Sequence, residues 1–294
     1  MHIEPPDDSY RNARTVICLQ GMCLQVRCMF GGRYKVGACG DTAARRRFQR
    51  IGDASYAERR PQRCAGRYKE KVGGRNVHAV ADDRDQDVPS PIDLRDPSDA
   101  GDWVATADHT RPWRAPIRKA IAELLRAAMP APRRVLELGA GPGLLADAIL
   151  QVCSLDNYTL FDFSQPMLDM SRARLAIHPS ATFICGDFKL PDWTEHFPAP
   201  FDAVVAMQAI HEIRHKRHVP GLYRQVRDLL RPGGLLVVCD HTPPDDSARL
   251  TALHSTEAEQ HAAFAAAGFV DIATHLILNG LYVCTAARMT RSQA

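Results

Sequence analysis

The chain has 294 residues, 45% of them hydrophobic and 24% charged, with a formal net charge of +3. That suffices for one large domain, or for one domain and an extension. So small a charge argues for neither a nucleic-acid nor a membrane partner, and no apolar run approaches the ~18 residues of a membrane span.

The opening Met1-His2-Ile3-Glu4-Pro5-Pro6-Asp7-Asp8 lacks the basic and apolar regions of a secretory leader. Nine cysteines are an odd count in no zinc-finger pairing, with Cys18, Cys23 and Cys28 spaced by five. Cys153, Cys185, Cys239 and Cys284 lie in apolar contexts and read as buried small hydrophobes. The expectation is a reducing, cytoplasmic setting.

Residues 1–88 mix Gly, Arg and Cys with few apolar positions at either the helical or the strand period. Arg45-Arg46-Arg47 and Arg59-Arg60 make the segment basic, and Ala81 to Asp87 is acidic. A poorly ordered or non-native extension fits this texture better than a nucleic-acid arm. Order is expected from Pro89-Ser90-Pro91, with a helical lead-in over 89–132. There Trp103 and Trp113 flank a polar stretch, and Pro116 opens a helix bearing Ile117, Ile121, Leu124, Leu125 and Ala128 on one face. Trp113 reads as a packing residue.

The domain expected over 133–290 begins with Val135-Leu136-Glu137-Leu138, an apolar run holding one carboxylate, as in a buried parallel strand. Gly139, Gly141 and Gly143 follow at alternate positions, with Ala140 and Pro142 between them, before a helix-forming run from Leu144 to Leu150. Strand, glycine turn and helix together make a nucleotide-binding crossover. Leu144 stands where a dinucleotide loop has its third glycine, and no P-loop lysine follows. A ligand with a cationic end and no pyrophosphate fits better.

A second strand, Tyr158 to Phe161, ends on Asp162-Phe163-Ser164. An acid at that edge is placed to accept both hydroxyls of a ribose, while Ser164 serves as the helix cap. Ala181 to Cys185 is a third strand, leaving through Gly186-Asp187-Phe188. Asp187 can accept from an exocyclic amine, and Phe188 offers a backbone N–H. Phe201 to Met207 is the fourth strand, with Gln208-Ala209-Ile210-His211-Glu212 emerging from it. Leu235 to Cys239 is the fifth, ending on Asp240-His241. Thr256 and Glu259 have capping-box spacing. Two β-branched runs, Val270–Leu278 and Leu281–Thr285, flank the hairpin dipeptide Asn279-Gly280. Five parallel strands and an antiparallel last strand are expected.

This order resembles the class I S-adenosylmethionine-dependent methyltransferases, particularly small-molecule enzymes related to quinone-biosynthesis methyltransferases. The resemblance covers about residues 100–288. It rests on Val135 to Gly143, Asp162-Phe163-Ser164 with Met167-Leu168, Gly186-Asp187-Phe188, Phe201 to Val205, and Leu229 to Leu235. It implies an α/β, Rossmann-like sheet of seven strands, mostly parallel with the last antiparallel, and helices on both faces. It also implies S-adenosylmethionine as cofactor and a small molecule as acceptor, with neither nucleic acid nor membrane as partner. The loop from Glu137 through Gly139, Ala140, Gly141 and Gly143 would hold the methionine part. Asp162 would take the ribose and Phe163 would lie against adenine. Asp187 would meet its amino group, and Met207 and Gln208 would approach the sulfonium. The fourth strand ends in Met207-Gln208-Ala209-Ile210, unlike the Asn/Asp-Pro-Pro-aromatic turn of nucleic-acid amino-methyltransferases.

His211 and His241 follow the fourth and fifth strands, where open sheets bind substrate, and either is a candidate base. His211 is the choice, with Glu212 as its orienter. Two rival readings share these residues. One is a cofactor-binding regulator without turnover. The other is a zinc hydrolase built on His211-Glu212-Ile213-Arg214-His215, an H-E-x-x-H pattern whose Arg214 is out of place. The expectation is that no metal is held.

Overall fold

The computed structural model describes residues 86–128, 133–244 and 247–290, with the backbone of two further strands at 14–19 and 22–27. The chain divides into two compact units, residues 1–77 and 78–294. In the first unit β1 (Arg14–Leu19) pairs antiparallel with β2 (Met22–Arg27), a hairpin that the sequence reading did not contain. Apart from this hairpin, the expectation of poor order concerns residues that up to 85 lie outside the described ones.

The second unit opens with α1 (Pro97–Thr110) and α2 (Arg114–Ala128). Asp96 caps α1 by accepting from the Ser98 and Asp99 N–H groups, and Pro97 takes the first helical position. The polar stretch after Trp103 is therefore helical. It presents small residues inward, Ala100 and Ala107, which is why its apolar period is faint. In α2 the face carrying Ile117, Ile121 and Leu125 is buried as expected, and Arg114 and Arg118 are buried with it.

The sheet follows in chain order: β3 (Arg134–Leu138), α3 (Leu144–Leu150), β4 (Asn157–Asp162), α4 (Gln165–Arg174), β5 (Ala181–Cys185) and β6 (Phe201–Met207). Then come α5 (Val219–Leu229), β7 (Leu230–His241), α6 (Ala248–Leu253), α7 (Glu257–Ala266), β8 (Phe269–Leu278) and β9 (Leu281–Arg288). The seven strands lie in the order β5-β4-β3-β6-β7-β9-β8. Neighbours from β5 to β7 are parallel, and β9 runs antiparallel to both β7 and β8. Asn279 and Gly280 take φ of 50° and 73°, the paired positive values of a type I′ hairpin turn. Ser164 caps α4, and Thr256 with Glu259 forms the expected capping box on α7.

Strand alternation splits the core in two. Leu136, Leu138, Val204, Ala206, Leu236 and Val238 face Tyr223 and Val226 of α5 and Phe264 of α7. Val135, Ala203, Val205 and Val237 face Ile117, Ile121 and Leu125 of α2 and Leu145 and Ile149 of α3. Each Val, Leu, Ile or Phe among them contributes roughly 1.5–3 kcal/mol on full burial. The same period puts the Glu137 carboxyl on the α2 side. Two expectations are corrected. Cys185 is exposed, because β5 is the sheet edge and its last residue turns outward. The fifth strand starts at Leu230 instead of Leu235, because Arg231 to Gly234 forms a bulge between the Phe201–Leu230 and Ala203–Leu235 pairs.

The chain goes from β3 outward to β4 and β5, then returns to β6 on the other side of β3. That reversal opens a crevice at the carboxyl ends of the strands.

Candidate active site

A cavity of about 790 Å³ fills this crevice, within the usual size for a small-molecule site. Its floor is Glu137, Gly139 to Pro142, Asp162, Phe163 and Met207 to Ala209, and its far wall carries His211, His241 and His254. Trp103 of α1, Arg111 between the helices, and Arg114 and Arg118 of α2 line it as well, with Ser90, Pro91, Ile92 and Leu94 from the preceding strap. Arg214 anchors that strap by donating to the Val88 and Pro89 carbonyls at 2.7 and 2.8 Å.

The glycine loop is held from outside the cavity. The Gly139 N–H donates to the Phe161 carbonyl at 2.8 Å, and Ser171 Oγ donates to the Gly141 carbonyl at 2.6 Å. Gly139 has φ +61°, and a Cβ there would lie 2.4 Å from the Ala209 Cβ, so the loop packs against the end of β6 only as glycine. At Gly141, φ +54°, a Cβ would meet nothing within 4 Å, which leaves a cradle open to a ligand. Asp162 accepts from the Gly141 and Ser164 N–H groups, both at 2.8 Å, one on each oxygen. Its remaining lone pairs are available to a ligand. Burial raises the Asp162 pKa against those two hydrogen bonds.

Glu137 is buried with Tyr158 Oη donating to it at 2.7 Å. Burial pushes its pKa up to about 8, so the carboxyl is neutral at physiological pH until a cation arrives.

On the far wall, Asp240 organises two strand ends. It accepts from the His211 and His241 N–H groups at 3.0 and 2.7 Å, and from His211 Nδ1 at 2.7 Å. Asp240, not Glu212, is thus the orienting carboxylate. Glu212 stands on the other side, 3.4 Å from Nε2, and pairs with Arg214 at 3.0 Å. Burial alone would depress the His211 pKa, but Asp240 and then Glu212 overcome it and carry it to about 10. The imidazolium in turn holds Asp240, despite its burial, at about 2. His241 and His254 behave oppositely, lowered to about 4 by burial and by the His211 charge. Gln208, at a positive φ of 55°, contacts His241 Nε2 through Nε2 at 2.7 Å. With His241 neutral, the amide donates and the imidazole accepts. Such a strained residue at a strand exit costs about 1–3 kcal/mol and is characteristic of binding sites.

Most expected residues converge here: Glu137, Gly139, Ala140, Gly141, Asp162, Phe163, Phe188, Met207, Gln208, His211 and His241 all line the cavity. Gly143 caps α3 in a left-handed conformation behind the loop. Asp187 stands outside the lining, 3.5 Å from Arg95 and 3.4 Å from Lys189. Those two cations also flank the Phe163 ring at 4.8 and 5.6 Å.

The H-E-x-x-H residues do not share a helix. Ile210–Ile213 is one 3-10 turn, Arg214 takes φ 72°, and His215 begins another turn by accepting from the Arg217 N–H. Among the described residues the metal-sized group is instead His211, Asp240 and His254, whose ligand atoms lie within 4.8 Å of one another. The basic cluster beyond is internally paired, Lys216 with Glu259 and Arg217 with Asp87.

Sequence reasoning missed Asp240, His254, Arg114 and Arg118. Two arginines on the apolar stripe of α2 were a usable signal. His254 sits between α6 and α7 in no motif.

Residues 136–236 match a family model described as a methyltransferase domain. The hybrid PKS-NRPS synthetase lepA of Aspergillus flavus is 33% identical over 113 residues, 37% of this chain and 3% of that synthetase. Trans-aconitate 2-methyltransferase of Acidovorax sp. is 30% identical over 132 residues, 45% of each protein. The chain thus spans less than half the length of these relatives. Among solved structures, an S-adenosylmethionine-bound amino pentose methyltransferase of Micromonospora echinaspora superposes with a TM-score of 0.50 at 20% identity, covering 62% of this chain and 96% of that one. The CurJ carbon methyltransferase gives 0.53 at 16% identity, covering 66% and 61%. At these identities the likeness is one of fold.

Proposed function

We propose, from the premise that this chain carries a class I S-adenosylmethionine-dependent methyltransferase domain, that it transfers a methyl group from S-adenosylmethionine to a small-molecule acceptor. One observation carries the reading: the open glycine cradle, the Asp162 carboxylate and His211, backed by Asp240, face a single cavity. The bound cofactor supplies an activated methyl on a sulfonium. Glu137 and the loop to Gly143 hold its methionine part, and Glu137 ionises against the ammonium. Asp162 accepts from the ribose hydroxyls, and Phe163 and Phe188 border the adenine. Asp187, paired with Arg95 and Lys189 beside the Phe163 ring, would take its amino group. Met207 and Gln208 border the reacting centre.

Holding nucleophile and methyl in line can supply ~7–11 kcal/mol of the barrier. His211 takes the acceptor's proton at Nε2, and Asp240 stabilises the imidazolium that results. In the ligand-free protein that imidazolium is already formed, so His211 must first shed a proton. A further positive charge in the cavity lowers its pKa toward that state. His241 is neutral but a far weaker base, so its role is to hold Gln208.

The catalytic unit is 133–290 with 89–132 as its lead-in, working without nucleic acid. A cytoplasmic, reducing setting is supported by the free thiols Cys153, Cys185, Cys239 and Cys284, and no described helix is long and apolar enough to cross a membrane.

The test combines calorimetric titration of S-adenosylmethionine with mass-spectrometric detection of S-adenosylhomocysteine over an acceptor panel. His211→Ala should slow turnover at least ~100-fold with cofactor affinity nearly intact. A wild-type chain that binds no S-adenosylmethionine sinks the whole reading. Binding without product across the panel favours the regulator, and an unaltered His211→Ala rate removes the base.

A further inference from the structure

The charges around the cavity do not balance. Four carboxylates line it, and each is already committed. Asp108 pairs with Arg118, Glu212 with Arg214 and His211, Asp162 with two backbone N–H groups, and Glu137 with Tyr158 as a neutral acid. Against them stand five arginines, of which Arg111, Arg114 and Arg249 have no carboxylate partner among the described residues, and Arg249 donates to the Pro89 carbonyl.

Arg114 is the telling one. It is only 4% exposed, its Nε is buried without a hydrogen-bond partner, and one face of its guanidinium lies 5.2 Å from the Trp103 ring centroid. Asp108 attracts it but is itself paired with Arg118, and burial outweighs that attraction. Burying a cation with no carboxylate of its own is costly, and a ligand anion would supply one. The planar fork matches a carboxylate or phosphate. The proposed cofactor would not restore neutrality, since sulfonium and ammonium outnumber its one carboxylate.

We propose that the acceptor is an organic anion, whose carboxylate or phosphate is clamped by Arg114 against Trp103 with Arg111 at the cavity mouth. This rests on the methyltransferase reading for the cofactor's place, and adds the chemical class of the second substrate. Clamped there, the anion holds the rest of the acceptor toward Met207 and the His211–Asp240 pair. Arg114 is then a specificity residue, not a catalytic one. Burial holds its pKa down at about 10, still charged at neutral pH.

The experiment uses the full chain saturated with S-adenosylhomocysteine, so that any group serving the cofactor's carboxylate is already engaged. Benzoate, phenyl phosphate and the neutral isostere benzamide are titrated by calorimetry, with tryptophan fluorescence alongside. At least one anion should bind ~10-fold or more tightly than benzamide. Which of the two does so identifies the anionic group. Arg114→Gln should erase that preference while changing S-adenosylhomocysteine affinity by less than ~2-fold, with Arg114→Lys retaining part of it. Anions binding no tighter than benzamide to the wild-type chain overturn the proposal, whether or not the variants fold. So does an Arg114→Gln protein that loses S-adenosylhomocysteine ~10-fold and keeps its anion preference, since the guanidinium then belongs to the cofactor. If S-adenosylhomocysteine itself fails to bind, the methyltransferase reading falls instead, and the same probes titrated into the free chain still decide the anion site.

Discussion

Replacing Glu137 by Gln should stabilise the ligand-free protein while impairing its site. The carboxyl is 2% exposed and its pKa rises from an ordinary 4.5 to about 8, chiefly because burial penalises the charge. Between those values the folded chain binds a proton that the unfolded chain has released. Stability therefore falls as pH rises from 4.5 through 8 and levels off above. A neutral isostere escapes this loss. At pH 7, about 2.5 units above the unfolded pKa, the loss is roughly 3 kcal/mol, and at pH 5 it is about 1 kcal/mol. The amide oxygen still accepts from Tyr158 Oη, so the packing is kept.

Urea unfolding at both pH values should show Glu137→Gln more stable than wild type by about those amounts. A difference independent of pH, or a less stable variant at pH 7, refutes the argument. The same proton couples to the cofactor. An ammonium beside Glu137 favours its ionised form, so wild-type affinity for S-adenosylmethionine should rise with pH up to about 8, with proton release. In Glu137→Gln the affinity should be lower and lack that pH dependence.

Three further outcomes follow from the same geometry. Asp240→Asn removes the carboxylate that raises the His211 pKa, so the limb on which turnover rises with pH as His211 loses its proton should move at least ~1 unit toward lower pH, and an unmoved limb rejects the pair. Asp162→Ala should weaken S-adenosylmethionine at least ~10-fold in calorimetry, because it removes the ribose acceptor and also frees the Gly141 N–H. Gly139→Ala imposes a positive φ on alanine and a 2.4 Å approach to the Ala209 Cβ, costing about 1–3 kcal/mol in denaturant unfolding. Adding Ala209→Gly should restore only part of that loss, since the backbone strain stays.

Much of this molecule was legible because its determinants are local. A glycine loop between an apolar strand and a helix, Ser164 and Thr256 as caps, and the Asn279-Gly280 turn each act through neighbours within a few residues. The elements that escaped have weak local patterns. In α1 the inward residues are alanines, too small to mark a face, and the Arg231 to Gly234 bulge interrupts a strand whose first residue, Leu230, pairs with Phe201 across the sheet.

Spacing along the chain was enough to place the glycine loop, the five parallel strands and the closing hairpin, and to bring most candidate site residues to strand ends. Which charges meet depends on the folded arrangement. Asp240 reaches His211 because β6 and β7 are neighbours, His254 arrives from a distant connection, and Arg114 is carried over the cavity by a helix that packs on α3. Coulomb and desolvation energies depend on separation and depth in three dimensions, and no period in the sequence records either.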